Sequence, residues 1–111
     1  MTTITLFKQN GQITGFVATG HCEYAKRGED IICAAASMIT QSTILGIREV
    51  AGLGVMVKQD DQTAHLEATL PANPDPKKFQ SAQIILKTME LALKNLQDQY
   101  PEYIKLKEEA K

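Results

Sequence analysis

An Asn10-Gly11 pair separates two runs of alternating polar and apolar residues, 3–8 and 12–18. Asn-Gly suits a two-residue turn whose central residues both take positive φ, and alternation on either side marks strands with one buried face. The chain therefore opens on an antiparallel hairpin, and the rest must cover one face of it. In the second strand the alternation puts Ile13, Gly15 and Val17 on one face and Thr14, Phe16 and Ala18 on the other.

Helical spacing appears next. Ile32, Ala36, Ile39, Thr43, Ile47 and Val50 recur as one apolar stripe, which predicts a helix over residues 30–51. Asp30 is placed to cap it, and Gly52 and Gly54 to end it. A second stripe, Cys33, Ser37, Thr40 or Gln41 and Ile44, is small and mostly polar. Residues 54–58 and 63–70 read as a second hairpin around Gln59-Asp60-Asp61-Gln62. Asp75-Pro76 then caps and opens a second helix with Phe79, Ala82, Ile85 or Leu86, Met89, Leu93 and Leu96 inward, stopped by Pro101. Residues 103–107 make a short last strand, and the charged residues 107–111 are expected as a solvated tail. The order is ββαββαβ. The expected fold is α+β, a single domain over residues 1–111, with two helices packed on a mixed or antiparallel sheet.

A chain of 111 residues with 43% apolar content can bury one core without staples. Twelve Lys and Arg against 13 Asp and Glu leave a net charge of −1, which argues against generic nucleic-acid or anionic-membrane binding. No apolar run is expected to approach the ~20 residues of a membrane span. The first residues lack the basic and apolar regions of a secretory signal. The two cysteines, Cys22 and Cys33, make no disulfide framework, and free thiols fit the cytoplasm.

Residues 19–29 have neither period. They hold Gly20, His21, Cys22 and Gly28, and a loop of that length tends to be functional or mobile. With Asp30 as cap, Cys33 is the third residue of the helix, where unpaired N–H groups and the dipole favour a thiolate. The alternative is a small buried cysteine between Ile32 and Ala34. His21, twelve residues upstream, is positioned to take the thiol proton and return one to a leaving amine. Asp30 reads as a cap that also organises His21 or the loop. Ser37, one turn past Cys33, is either a donor to the substrate carbonyl or histidine, or bonds the carbonyl four residues earlier. His21, Cys22 and the outward-facing His65 do not make a zinc site. Gly52-Leu53-Gly54 is too short for a phosphate loop, so neither metal nor cofactor is expected.

Gly20-His21, the loop, and the run Gly28-Glu29-Asp30-Ile31-Ile32-Cys33-Ala34-Ala35-Ala36-Ser37 together resemble the ribosomal-processing cysteine protease family, Prp. The resemblance covers nearly the whole chain. It implies a cysteine endopeptidase that removes an apolar N-terminal extension, ending in an aromatic pair, from a large-subunit ribosomal protein (number twenty-seven) before assembly. It implies His21 and Cys33 as the catalytic pair, Gly20, Asp30 and Ser37 as supporting residues, and a homodimer. Cys22 departs from the small residue that the family places after the histidine. A thiol there traps Cys33 as a disulfide if the two Cα atoms come within ~4.4–6.8 Å. The competing readings are a non-catalytic peptide-binding module, in which Cys33 is only a small neighbour, and a ribosome-associated factor, which the charge balance disfavours.

Overall fold

The computed structural model describes residues 1–20 and 27–111. Its elements are β1 (Thr2–Gln9), β2 (Gln12–Thr19), α1 (Arg27–Leu45), β3 (Met56–Asp60), β4 (His65–Thr69), α2 (Pro76–Gln99) and β5 (Ile104–Ala110). The strands form one mixed sheet in the order β3-β4-β2-β1-β5. β1 pairs antiparallel with β2 and parallel with β5, while β4 pairs antiparallel with β2 and β3. The ββαββαβ order and the α+β class are as the sequence implies. Ile4 and Leu6 of β1, Phe16 of β2 and Ala68 of β4 share one core with Ile32, Ala36 and Ile44 of α1 and Ala82, Leu86, Met89 and Leu93 of α2.

The first turn has Asn10 at φ 54° and Gly11 at φ 77°, the geometry the Asn-Gly pair demands. The strand beyond it departs from simple alternation. Phe7 pairs with Gly15 but Lys8 with Ile13, so Thr14 is an extra residue and β2 carries a bulge. The bulge inverts the side-chain phase. Ile13 and Phe16, expected on opposite faces, are both fully buried. β4 pairs with β2 only from Gly15 to Thr19, so Ile13 lies beyond its end. Buried Gln83 of α2 fills that gap. Its carbonyl accepts from the Ile13 N–H at 2.8 Å and its amide donates to the Ile13 carbonyl at 2.7 Å.

Three other expectations are corrected. The helix over 30–51 begins earlier, at Arg27, and its last turns, Gly46–Val50, widen to π-helix before Gly52 turns the chain at φ 71°. That widening shifts the stripe, so Val50 is exposed while Ile47 stays buried. Asp30–Val50 is in fact long and apolar enough to reach across a bilayer by composition. Here Ile32, Ala36, Ile44 and Ile47 of that stretch lie in the core. Residues 107–111 are exposed as expected but are not a tail: β5 runs to Ala110, paired residue for residue with β1. Lys8 holds it there, donating to Glu108 at 2.8 Å and to the largely buried Glu90 of α2 at 2.7 Å. The second helix matches its reading, with Asp75 accepting from the Lys78 N–H at 3.1 Å.

Replacing Gln83 with Met removes the partners of both backbone polar groups of the fully buried Ile13. A loss of about 3 kcal/mol is expected, read as a lower urea midpoint at unchanged m-value. The hydrogen bond from Lys8 holds the Glu108 carboxyl below its ordinary range, and the bonds to Glu108 and Glu90 raise the Lys8 ammonium above its own. The stabilisation from Glu108 is therefore present above the ordinary carboxylate range and is lost as pH falls through the lowered value. The contribution of Lys8 is lost only in strong alkali, as pH rises through its raised value. Thermal unfolding of Glu108→Gln is expected to show a small deficit at neutral pH that vanishes in acid and shrinks with added salt, because the carboxylate is half exposed.

Candidate active site

Four elements converge on one end of the sheet: the start of β1, the end of β2, the start of β4 and the first half of α1. β2 ends at Gly20, whose φ is +137° and whose N–H donates to the Ala64 carbonyl at 3.2 Å. A Cβ on Gly20 would sit 2.5 Å from the Met1 carbonyl oxygen and 2.9 Å from the Thr2 Cα. Only glycine permits this approach of β2 to β1. Thr2 is in turn pinned by its N–H to the Tyr103 carbonyl at 3.0 Å and by parallel pairing with Ile104.

Across this junction lies Cys33, half-buried on α1. Because the helix begins at Arg27, Cys33 is its seventh residue and not its third. Asp30 is correspondingly within the helix, exposed, and not its cap. Cys33 therefore lies past the four N–H groups that a helix start leaves unpaired, and past the turn over which the dipole is felt. The unpaired N–H groups expected beside the sulfur give way here to groups spent on helical bonds. The sulfur has another donor: the Thr2 hydroxyl, 3.2 Å from Cys33 Sγ.

Cys33 is a disulfide cysteine in this structure, and no free thiol is present among the described residues. The expectation of free thiols is corrected. A half-exposed cysteine is open to oxidation. Cys22 and His21 lie outside the described residues.

Cys33 borders a cleft of about 210 Å³. Thr2, Ile4 and Gly20 line one side, Cys33, Ala36, Ser37, Thr40 and Gln41 another, and Asp60, Asp61, Ala64, His65 and Leu66 of the second hairpin a third. The small residues of the second stripe keep this wall low, and Thr40 bonds back to the Ala36 carbonyl at 3.0 Å. Ser37 is exposed, and its hydroxyl accepts from the Gln41 amide at 2.9 Å. It does not take the backbone bond that the sequence left open. Gly20, Cys33 and Ser37 are thus brought together, while Asp30 does not line the cleft. His65, read as an outward strand residue, does, and its imidazole is 3.9 Å from Glu67. Among the described residues no cluster of three or more His, Cys, Asp or Glu is placed to hold a metal ion.

Thr2 was not singled out by the sequence, and His65 was weighed there only as a metal ligand. A signal for Thr2 was present: it falls in phase with Ile4 and Leu6, a small polar residue at the start of the buried face of β1. The sequence did not place His65 at the cleft, because its position depends on β4 pairing with the last residues of β2.

The family model described as Cysteine protease Prp matches residues 1–105. The chain is 29% identical over 97 residues to the ribosomal processing cysteine protease Prp of Staphylococcus aureus, covering 86% of this chain and 87% of that one. It is 22% identical over 94 residues to the Bacillus subtilis protein of the same name, covering 85% and 84%. The crystal structure of the S. aureus protease with a substrate peptide superposes with a TM-score of 0.87 at 25% identity, over 98% of this chain and all of that one. A Streptococcus mutans structure at 22% identity, covering 100% of this chain and 96% of that one, gives a TM-score of 0.88 and supports the fold. With the family model spanning nearly all of a chain that presents a cysteine on the wall of a cleft, this protein belongs to the Prp family of ribosomal-processing cysteine proteases.

Proposed function

We propose that this protein is the endopeptidase that removes the N-terminal extension of a large-subunit ribosomal protein, number twenty-seven, before that protein joins the ribosome in the cytoplasm. The observation that carries the reading is Cys33 at the edge of a cleft of about 210 Å³, in a fold shared with a relative crystallised with a substrate peptide. The net charge of −1 and the mixed polar and apolar cleft wall fit a peptide substrate better than a nucleic acid.

In this mechanism His21 and Cys33 form the catalytic pair. The Cys33 thiolate attacks the scissile carbonyl carbon, and the carbon–nitrogen bond breaks as the His21 imidazolium protonates the departing amine. Water, deprotonated by the same imidazole, then hydrolyses the thioester and releases the extension. Ser37, one turn along the cleft wall, supplies a hydroxyl toward the substrate. Gly20 sets where the chain leaves β2 toward His21, and Asp30 acts from the same helix. The reaction requires the reduced form of Cys33.

The protein is also read as a homodimer. Ile31, Met38 and Leu45 lie at seven-residue intervals on α1 and are each more than 60% exposed. That spacing stacks them on one side of the helix as a strip that a second copy would cover. Met38→Glu is expected to shift the protein toward monomer in sedimentation velocity at micromolar concentration.

The catalytic test is incubation of the reduced protein with the extended ribosomal protein and mass analysis of the products. Cys33→Ala is expected to abolish cleavage, and His21→Ala to slow it by about 10²–10⁴-fold. His65→Gln is expected to retain most of the rate. Cleavage by Cys33→Ala at the parent rate overturns the nucleophile. Loss of the rate with His65→Gln, and not with His21→Ala, would move the proton-transfer role to the second hairpin.

A further inference from the structure

A cysteine nucleophile works as the thiolate, and an ordinary thiol with a pKa of about 8.5 is only a few per cent ionised at neutral pH. The usual remedy in a helical cysteine is the positive end of the helix. Here Cys33 stands on the second turn of α1, beyond reach of that help. Among the described residues, the charged side chains that share its surroundings offer little more, and His21 lies outside them. Asp30 lies on its own helix, and Asp60 and Asp61 line the cleft from the second hairpin. All three carry negative charge and oppose a second anion. His65, on the same hairpin, lies within reach of Glu67.

Among the described residues, the Thr2 hydroxyl donates to the sulfur. It sits 3.2 Å from the Sγ of Cys33, here in its oxidised form, and reaches across from β1. Thr2 is 7% exposed, so water competes little for its hydroxyl. Its backbone is held on both sides, by Tyr103 and Ile104 of the β5 edge and by the close approach of Gly20. A hydroxyl so fixed need not be reorganised when charge develops on the sulfur. Hydrogen bonding to the charged form of a group favours that form.

We infer that Thr2 is a positioning residue for the nucleophile: its hydroxyl, held by β1 and Gly20, donates to Cys33 Sγ, orients the sulfur at the cleft and favours its thiolate. The inference rests on the reading of Cys33 as the nucleophile. It also gives Gly20 a physical task at the site. Any side chain there would push against the Thr2 Cα and carry the hydroxyl away from the sulfur.

The test is the pH dependence of iodoacetamide alkylation of Cys33 in the reduced protein, followed peptide by peptide by mass spectrometry so that Cys22 is scored separately. Thr2→Val keeps the β-branched shape that a strand accepts and removes only the hydroxyl. It is expected to move the alkylation midpoint to higher pH and to slow the reaction at pH 7 by roughly 3- to 10-fold. Thr2→Ser is expected to restore the parent profile, and thermal unfolding of both variants checks that the sheet is intact. The inference is overturned if Thr2→Val alkylates with the parent's pH profile, or if Thr2→Ser behaves like Thr2→Val. The readout does not depend on peptide cleavage. A cleaving Cys33→Ala protein would instead remove the nucleophile reading and leave the pH profile standing as a measurement of the sulfur alone.

Discussion

The backbone of Gly20 lies against that of Met1 and Thr2 more closely than any side chain allows. This contact closes the end of β2 onto the start of β1, and the rest of the site is arranged around it. Thr2, trapped between Gly20 and β5, presents its hydroxyl to the sulfur of α1. Ala64, which receives the Gly20 N–H, brings the second hairpin and its acidic turn to the cleft. A steric constraint at one glycine thereby sets the distance between three strands and a helix.

The position of Cys33 within α1 alters how a helical cysteine is to be understood in this fold. At a first turn, the backbone would supply both the field for the thiolate and donors for a developing oxyanion. On the second turn those groups are engaged in the helix. The sheet takes over, through a side-chain hydroxyl. The same helix is unusually rich in small and hydroxyl residues along the cleft, and Thr40 and Thr43 satisfy themselves on carbonyls of the preceding turn. Its wall can therefore be polar without leaving buried groups unpaired.

Away from the site, polar residues in the core settle the strand geometry. The bulge at Thr14 puts Ile13 into the core but leaves its peptide groups beyond the end of β4. Gln83 answers both with one amide, in effect extending the sheet by a side chain. Lys8 does similar work at the opposite edge, joining β1 to α2 through Glu90 and to β5 through Glu108.

What was legible in the amino-acid order was everything governed by near neighbours along the chain. The Asn10-Gly11 turn, the Asp75 cap and the 3.6-residue stripe of α2 are local, since turn dihedrals, capping and periodicity depend on residues within one or two turns. The short Gly-His and Asp-x-x-Cys spacings were legible for the same reason, and they carried the family. The tertiary structure decided what depends on contacts between distant residues. The phase of β2 follows from a bulge and the strand character of residues 107–110 from pairing with β1, while α1 begins at Arg27, ahead of its apolar stripe. Gly28 at that helix start packs against the Tyr103 ring, a partner 75 positions away. Thr2 and Cys33 are 31 positions apart, and no pattern within either segment specifies that they meet. Only the sheet, by fixing the edge on which the helix lands, brings a hydroxyl to the sulfur.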